Sequence, residues 1–271
     1  MSNAHLFLAA AIFLSLSMVL AWALAVRAGN HGWVDTVWSF AVGLAGAGAA
    51  LVPAGPHGTS ERQWLVAGLA ALWSLRLGTH ILRRTLSGKD DPRYAELVRA
   101  WGGKARRRLF IFLQIQAVAG LLLVLAMLVA ARNPLPFGRP GDGLGGALLA
   151  LSILGAGVAD RQLARFRADP ANRGKVCDAG LWGLSRHPNY FFEWLGWLAY
   201  AVIAIDPGGV YPLGYAALLG PGLMYVLLVH ASGIPPTEAH MLRSRGEAFR
   251  AYQRRVNAFW PGLPSSKPGR P

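Results

Sequence analysis

Polar and charged side chains enter an apolar segment in the stretch SRHPNYFFEWLGW, residues 185–197. Arg186 and His187 precede the segment, and Asn189 and Glu193 follow four residues apart, so that in a helix they share a face. An amide and a carboxylate in this arrangement can bind a ligand through hydrogen bonds, and an arginine can bind phosphate or carboxylate. Because ionisable groups in an apolar segment are costly, the stretch is a candidate site.

Asp35 opens another apolar segment, GWVDTVWSF, and Trp38 lies three residues further on the same helical face. A carboxyl group kept neutral by burial can donate a hydrogen bond to a substrate oxygen. Asp35 can equally lie among the lipid headgroups and pair with Arg27 or a lipid.

Further polar residues interrupt the remaining apolar segments. Arg76 and His80 are four residues apart, and either bind a ligand or hold helices together. Gln114 and Gln116 favour hydrogen bonds between helices, and Asp160 closes a later segment. A shared internal cavity explains the polar residues in these apolar segments better than a separate reason for each of them. We therefore predict an internal cavity.

The composition indicates the elements that position these residues. Hydrophobic residues make up 54% of the chain and charged residues 15%, and there are ten Trp residues; soluble domains carry about 25% charged residues. Backbone groups in lipid must be satisfied internally, so the apolar runs predict helices. We predict an all-α integral membrane protein, with one domain over residues 1–261 and a disordered tail over 262–271. Its seven transmembrane helices are expected at 5–26, 34–53, 64–82, 109–131, 143–160, 189–206 and 209–230.

The net charge of +14 is concentrated in three segments, 83–108, 161–188 and 231–271. With seven spans these segments fall on one side, so the positive-inside rule places them and the C-terminus in the cytoplasm and the N-terminus outside. The basic excess is thus explained mainly by topology, with some left for an anionic ligand or lipid headgroups. We expect no nucleic-acid partner.

Metal and soluble nucleotide-binding sites are not indicated. There is one cysteine, and the seven histidines are scattered without an H-x-x-x-H pair, so we expect no metal. No Gly-rich fingerprint or Walker motif is present, so a phosphate-bearing cofactor would be held by loops and helix ends.

Two polar segments favour short helices outside the membrane. Asp91 is a candidate N-cap with Pro92 at the first helical position. Residues 237–260 predict one amphipathic helix with Thr237 as N-cap. Its apolar residues, expected on or under the membrane surface, are Met241, Leu242, Phe249 and Tyr252.

Three stretches, GLWGLSRHPNYFFEWLGWLAY, SGIPPTEAHMLRSRGEAFRAYQRRVNAFWP and DDPRYAELVRAWG, resemble the steroid 5α-reductase family, in its bacterial branch once catalogued as a domain of unknown function of the DUF1295 type. The resemblance covers most of residues 30–261. It implies a seven-helix membrane reductase, expected in a bacterial inner membrane. Such an enzyme uses NADPH to reduce a carbon–carbon double bond conjugated to a ketone in a steroid-like or other lipid drawn from the bilayer.

The resemblance assigns cofactor contacts residue by residue. Asn189 and Glu193 match the N-x-x-x-E signature that contacts the nicotinamide end. The alignment with the family also includes Asp160, Arg167, Lys175 and Tyr252. The other candidate cofactor-binding residues are predicted from their charged or hydrogen-bonding side chains, and they are Arg93, Tyr94, Arg186, His187 and Arg245. Lys175 stands where the family has Arg, so it keeps the charge without the bidentate geometry.

The catalytic end matches the family less well. The family's Gln-Glu pair in the second helix falls on Asp35 and Thr36, and its third-helix Tyr falls near Trp73. Steroid specificity is therefore open. We expect Asp35, kept protonated by burial, to polarise the ketone, with His80 as the alternative acid and Tyr94 as a third candidate. A flat lipid would lie against an apolar wall that includes Trp33, Trp38 and Trp73.

Two other functions remain open. Isoprenylcysteine and phospholipid methyltransferases have a similar RHP-Y turn, and in that interpretation Arg186, His187 and Glu238 face S-adenosylmethionine. A non-catalytic lipid-binding protein on the same scaffold is the third possibility, favoured by the missing Glu and Tyr.

Overall fold

The structure, a computed structural model, describes residues 3–53, 55, 58–88 and 90–264. In these ranges the regular secondary structure is helical, with turns and loops between the helices and an isolated bridge between Gly55 and Gly58. The α-helices are α1 (Asn3–Ala28), α2 (Gly32–Leu51), α3 (Glu61–Leu86), α4 (Pro92–Trp101), α5 (Ala105–Ala131), α6 (Pro140–Ala168), α7 (Pro188–Ala204), α8 (Leu219–Tyr225), α9 (Ile234–Arg245) and α10 (Glu247–Arg255). Short 3₁₀ segments and one π-helical segment, Val226–Ala231, connect them. Most of the tail expected to be disordered, residues 265–271, lies outside the described ranges.

Six helical segments within the described residues are long and apolar enough to cross a membrane, and they confirm the prediction of an all-α, multi-pass membrane protein. They are Ala4–Ala28, Gly32–Leu51, Glu61–Leu86, Arg93–Ala131, Pro140–Ala168 and Pro212–Arg245. The predicted span 189–206 corresponds to α7, which has 17 residues and is shorter than these six. The count of seven and the orientation of the termini stay predictions.

The chain divides into two compact units. Unit 1 comprises Met1–Ala147 and Leu198–Leu223, and unit 2 comprises Leu148–Trp197 and Met224–Pro271. The single domain predicted over residues 1–261 stays a prediction.

Close packing of α2 against α3 forms part of unit 1. A Cβ added at Gly43 would lie 2.1 Å from Cβ of Ser74, so only glycine permits this approach. The Ser74 hydroxyl donates to the Ser39 carbonyl oxygen at 3.0 Å, across the same contact. Small residues and hydrogen bonds of this kind hold helices together where lipid removes the hydrophobic driving force.

An ion pair secures one end of unit 1. The Arg62 guanidinium donates to both carboxylate oxygens of Asp142, at 2.7 and 2.9 Å. It also donates to the backbone carbonyls of Asn133, Leu135 and Pro136. Arg62 thereby fastens the Pro/Gly-rich connection between α5 and α6 to the start of α3.

In unit 2 the segment after the π-helix forms two helices, α9 and α10. The prediction of one continuous helix over 237–260 was wrong. Gly246 has φ +53° and ends α9, because this left-handed region strains other residues. The helix α9 begins at Ile234, and the Thr237 hydroxyl donates to the Gly233 carbonyl from inside it, so Thr237 is not its N-cap. Its apolar face forms a small core, in which Met241, Leu242 and Val176 pack against Phe249, Tyr252 and Val256.

Candidate functional site

Asp35, Tyr94 and Gln116, from α2, α4 and α5, come together in unit 1. The Tyr94 hydroxyl donates to Oδ1 of Asp35 at 2.7 Å. Nε2 of Gln116 donates to the Tyr94 oxygen at 2.8 Å. Tyr94 is 5% exposed, so its phenol is held by two directed bonds away from solvent. A phenol held in this way is a positioned proton donor.

Arg93 completes this arrangement, and the four residues Asp35, Arg93, Tyr94 and Gln116 are referred to below as the Asp35 cluster. The Arg93 guanidinium donates to Oδ2 of Asp35 at 2.5 Å and to Asp91 at 2.8 Å. Both side-chain oxygens of Asp35 therefore accept hydrogen bonds.

Asp91 anchors the Asp35 cluster to the start of α4. Its side chain accepts from the Arg93 backbone N–H at 3.0 Å, with Pro92 at the first turn, which confirms the predicted N-cap. Arg84 donates to it at 2.6 Å. Burial alone would raise the pKa of Asp91, but the hydrogen bond from Arg93 and the charges of Arg93 and Arg84 bring that pKa below its ordinary value. An ionised Asp91 thus fixes Arg93 toward Asp35.

Aromatic side chains border the Asp35 cluster. The Trp38 indole N–H donates to the Gln116 backbone carbonyl at 3.0 Å. The ring of Trp38 meets that of Trp73 edge-on, with centroids 6.4 Å apart. Two of the three residues predicted for the apolar wall therefore lie together, and Trp38 adjoins the cluster. Trp33 is half-buried in α2, and His80, predicted as the alternative acid, is exposed in α3.

In unit 2, Arg186 and His187 converge on Glu238. Arg186 donates to the two Glu238 oxygens at 2.7 and 3.2 Å, and the His187 ring nitrogen lies 3.1 Å from one of them. The Gln253 amide donates to Glu238 at 2.7 Å. Arg186 also donates to the backbone carbonyls of Gln253 and Val256. These four side chains tie the loop before α7 to α9 and α10, and most of their hydrogen-bonding capacity is used within the chain.

The imidazole of His187 is deeply buried. Burial lowers the pKa of His187, and this outweighs the opposing hydrogen bond and negative charge of Glu238. The ring is consequently neutral at physiological pH.

Tyr252 holds the same loop from α10. Its hydroxyl donates to the Trp182 backbone carbonyl at 2.5 Å. Burial is the main reason that the pKa of Tyr252 lies well above its ordinary value. This hydroxyl stays protonated and keeps the contact.

The signature residues Asn189 and Glu193 lie one turn apart in α7. Oδ1 of Asn189 is buried and has no hydrogen-bond partner among the residues that the structure describes. Glu193 is 7% exposed, and Trp197 donates to it at 3.4 Å. A buried amide oxygen without a partner is uncommon, and it identifies Asn189 as a group that can accept from a ligand.

The basic residues predicted to bind phosphate lie at the surface of unit 2. Arg167 at the end of α6, Lys175 in the following loop and Arg245 at the end of α9 are exposed. Asp160, one of the predicted cofactor contacts, is half-buried in α6. The roles assigned to these residues stay predictions.

Unit 2 also contains an apolar hollow of about 470 Å³ beside the first turns of α7. Its lining is Leu181, Leu184, Pro188, Phe191, Phe192, Trp194, Trp260 and Pro261.

Sequence reasoning missed Gln116 as a site residue and treated it as a contact between helices. That interpretation suits Gln114, whose amide oxygen accepts from Ser15 at 2.7 Å, joining α5 to α1. A glutamine in an apolar helix is the sequence signal that could have indicated Gln116 as a site residue. Its contact with Tyr94 exists only in the folded chain.

Comparison with known families places the chain in a family. Residues 21–256 match the family described as protein of unknown function (DUF1295), and the chain belongs to this family. No curated protein and no solved structure matches the chain significantly.

Proposed function

We propose that this protein is a membrane-embedded, NADPH-dependent reductase of a carbon–carbon double bond conjugated to a ketone in a steroid-like or other lipid substrate. The observation that carries the proposal is the Tyr94 phenol, buried and held between Asp35 and Gln116 beside Trp38. It is a positioned hydrogen-bond donor next to an apolar, aromatic surface, as reduction of an enone requires.

Tyr94 is the acid in this proposal. Attack on the β-carbon of an enone builds negative charge on the carbonyl oxygen, and a donor aimed at that oxygen stabilises the transition state. Tyr94 would turn its O–H from Asp35 to the substrate oxygen and give up the proton there. Asp35 accepts from both Tyr94 and Arg93, so it orients the phenol rather than donating a proton itself. The sequence alone favoured Asp35 for the donor role.

The residues of unit 2 fit the cofactor. NADPH, when bound, supplies the hydride. The unpartnered Oδ1 of Asn189 suits the N–H₂ group of a nicotinamide carboxamide, and Glu193 lies one turn further on. Arg167, Lys175 and Arg245 would provide positive charge for the phosphates. The hydrogen bonds of Arg186, His187 and Tyr252 hold the loop that precedes Asn189.

The substrate would be a lipid reached from the bilayer, with Trp33, Trp38 and Trp73 forming the apolar wall. A flat hydrocarbon skeleton packs well against aromatic faces and edges. No metal and no nucleic acid enter the proposed reaction.

One observation favours a second function, methyl transfer from S-adenosylmethionine. Arg186, His187 and Glu238, which that interpretation requires near the cofactor, do lie together. They are, however, bonded mainly to one another and to backbone carbonyls, whereas Asn189 retains an unpartnered acceptor.

A thermal-shift titration of the detergent-solubilised chain with NADPH, NADH and S-adenosylmethionine tests the proposal. A ligand that binds only the folded state raises the melting temperature with concentration. Stabilisation by NADPH alone, which needs a higher NADPH concentration in Asn189→Ala, is the expected result. Stabilisation by S-adenosylmethionine alone would support methyl transfer. No shift with any of the three would favour the non-catalytic lipid-binding protein.

A further inference from the structure

The amide oxygen of Gln116 is buried in unit 1, and within the described part of the chain it has no hydrogen-bond partner. Its neighbour on the same amide, Nε2, donates to the Tyr94 hydroxyl at 2.8 Å. The unpartnered acceptor therefore lies beside the proposed proton donor. An unpaired polar atom in an apolar helix is costly, and each such atom in a native structure calls for a physical reason.

The orientation of this amide follows from the bonds of Tyr94. The single hydrogen of the phenol goes to Asp35, so toward Gln116 the Tyr94 oxygen can only accept. The Tyr94 oxygen therefore needs a donor, which is the N–H₂ group of Gln116. With the amide reversed, Oε1 of Gln116 would face the Tyr94 oxygen, and both atoms would be acceptors. Oε1 of Gln116 is thus the end left without a donor.

Two neighbouring residues with hydrogen-bond donors make other contacts. The Trp38 indole N–H is bonded to the backbone carbonyl of Gln116, not to its side chain. Arg93 donates to Asp35 and Asp91. The donor for Oε1 must then come from outside these residues, either from a water molecule or from a ligand.

We propose that Gln116 binds a hydroxyl group of the substrate, and that the natural substrate is an enone with a hydroxyl on the carbon next to its ketone. This inference rests on the proposed function. The Tyr94 hydroxyl and Oε1 of Gln116 form adjacent donor and acceptor positions, held together by the amide of Gln116. A ketone oxygen and a neighbouring hydroxyl present the complementary acceptor and donor. An enone without the hydroxyl leaves Oε1 buried and unpaired, which is the situation that gives strong discrimination between substrates.

Two steroids that differ by this one hydroxyl serve as probes, androstenedione and its α-hydroxylated analogue formestane. Their dissociation constants would be measured for the detergent-solubilised full chain by quenching of intrinsic tryptophan fluorescence. We expect formestane to bind about tenfold more tightly than androstenedione, the upper range for one neutral hydrogen bond in a buried site. Gln116→Leu should abolish the preference by weakening formestane alone.

The matched control is Gln114→Leu, which removes an amide two residues away on the same helix and should keep the preference. If Gln116→Leu does not fold, Gln116→Asn withdraws the amide oxygen by one carbon and should reduce the preference. Equal affinity of the wild type for both steroids, binding of neither, or a preference that survives at Gln116→Leu would overturn the inference and leave water as the partner of Oε1.

The NADPH thermal shift, measured on the same samples, separates the two proposals. Stabilisation by NADPH together with equal steroid affinities removes the hydroxyl contact and leaves the reductase. A clear preference for formestane without any effect of NADPH supports the hydroxyl contact and removes the reductase.

Discussion

The hydroxyl of Tyr94 lies 2.7 Å from Oδ1 of Asp35, although 59 residues separate the two in the chain. Asp35 opens α2, and Tyr94 stands in the first turn of α4, which Asp91 caps. Asp91 caps α4 and holds Arg93, and Tyr94 follows directly in the same turn. The start of α4 therefore positions both residues that donate to Asp35.

Replacement of Tyr94 by Phe removes the proposed acid and leaves the ring. We expect enone-dependent oxidation of NADPH to fall by about 10²–10⁴-fold, the usual contribution of general acid catalysis. The NADPH thermal shift should not change. Tyr215→Phe, at a residue that is 51% exposed, is the control and should keep the wild-type rate. A wild-type rate in Tyr94→Phe would exclude this phenol as the acid.

Asn189→Ala should weaken NADPH binding by about tenfold, because it removes the buried acceptor proposed for the carboxamide. Thermal-shift titration gives the apparent affinity. Asn257→Ala changes an exposed asparagine of the same unit and should have no effect. Unchanged NADPH affinity in Asn189→Ala would remove Asn189 from the site.

Arg62→Met should destabilise the fold by about 3–5 kcal/mol, because it leaves Asp142 buried and without its counter-ion. Thermal unfolding in detergent would show this as a lower melting temperature. Adding Asp142→Leu should recover part of the loss, since no uncompensated charge then remains. Arg250→Met, which breaks an exposed pair with Glu247, should have no measurable effect. If Arg62→Met has an equally small effect, the ion pair does not secure the connection.

Acid should destabilise the protein through His187. Because burial lowers the pKa of His187 below its ordinary value of 6.5, the folded state binds the proton less readily than the unfolded chain. Protonation then favours unfolding, so the melting temperature should fall as the pH drops below about 6.5 and level off beneath the folded-state pKa.

The melting temperature measured against pH for wild type and His187→Gln isolates this effect. The variant should lose the part of the slope that lies just below pH 6.5. His240→Gln, at an exposed histidine, should keep it. An identical pH dependence in wild type and His187→Gln would show that this histidine does not set the acid limit.

Local features of the structure were predictable from sequence where neighbouring residues determine them. The Asp91 cap depends on one side chain and the next two residues, and it was confirmed. The prediction of Thr237 as an N-cap was wrong. The helix starts three residues earlier, at Ile234, and Pro235 and Pro236 occupy its first turn. The break at Gly246 was missed because polar residues on both sides continue the helical pattern.

The sequence by itself determined that this is a helical membrane protein, placed most of its spans and singled out Asn189, Glu193 and Asp35. Hydropathy is a sum over a window of neighbours, and a polar residue in an apolar segment can be recognised from its type and position before its partner is known. Only the tertiary structure decided which partners these groups have. It paired Asp35 with Tyr94, and Tyr94 with Gln116. It also paired Glu238 with Arg186 and His187, and Asp142 with Arg62. Hydrogen bonds and ion pairs are short and directional, so residues 50 or more positions apart can form them only when packing of the helices sets their distance.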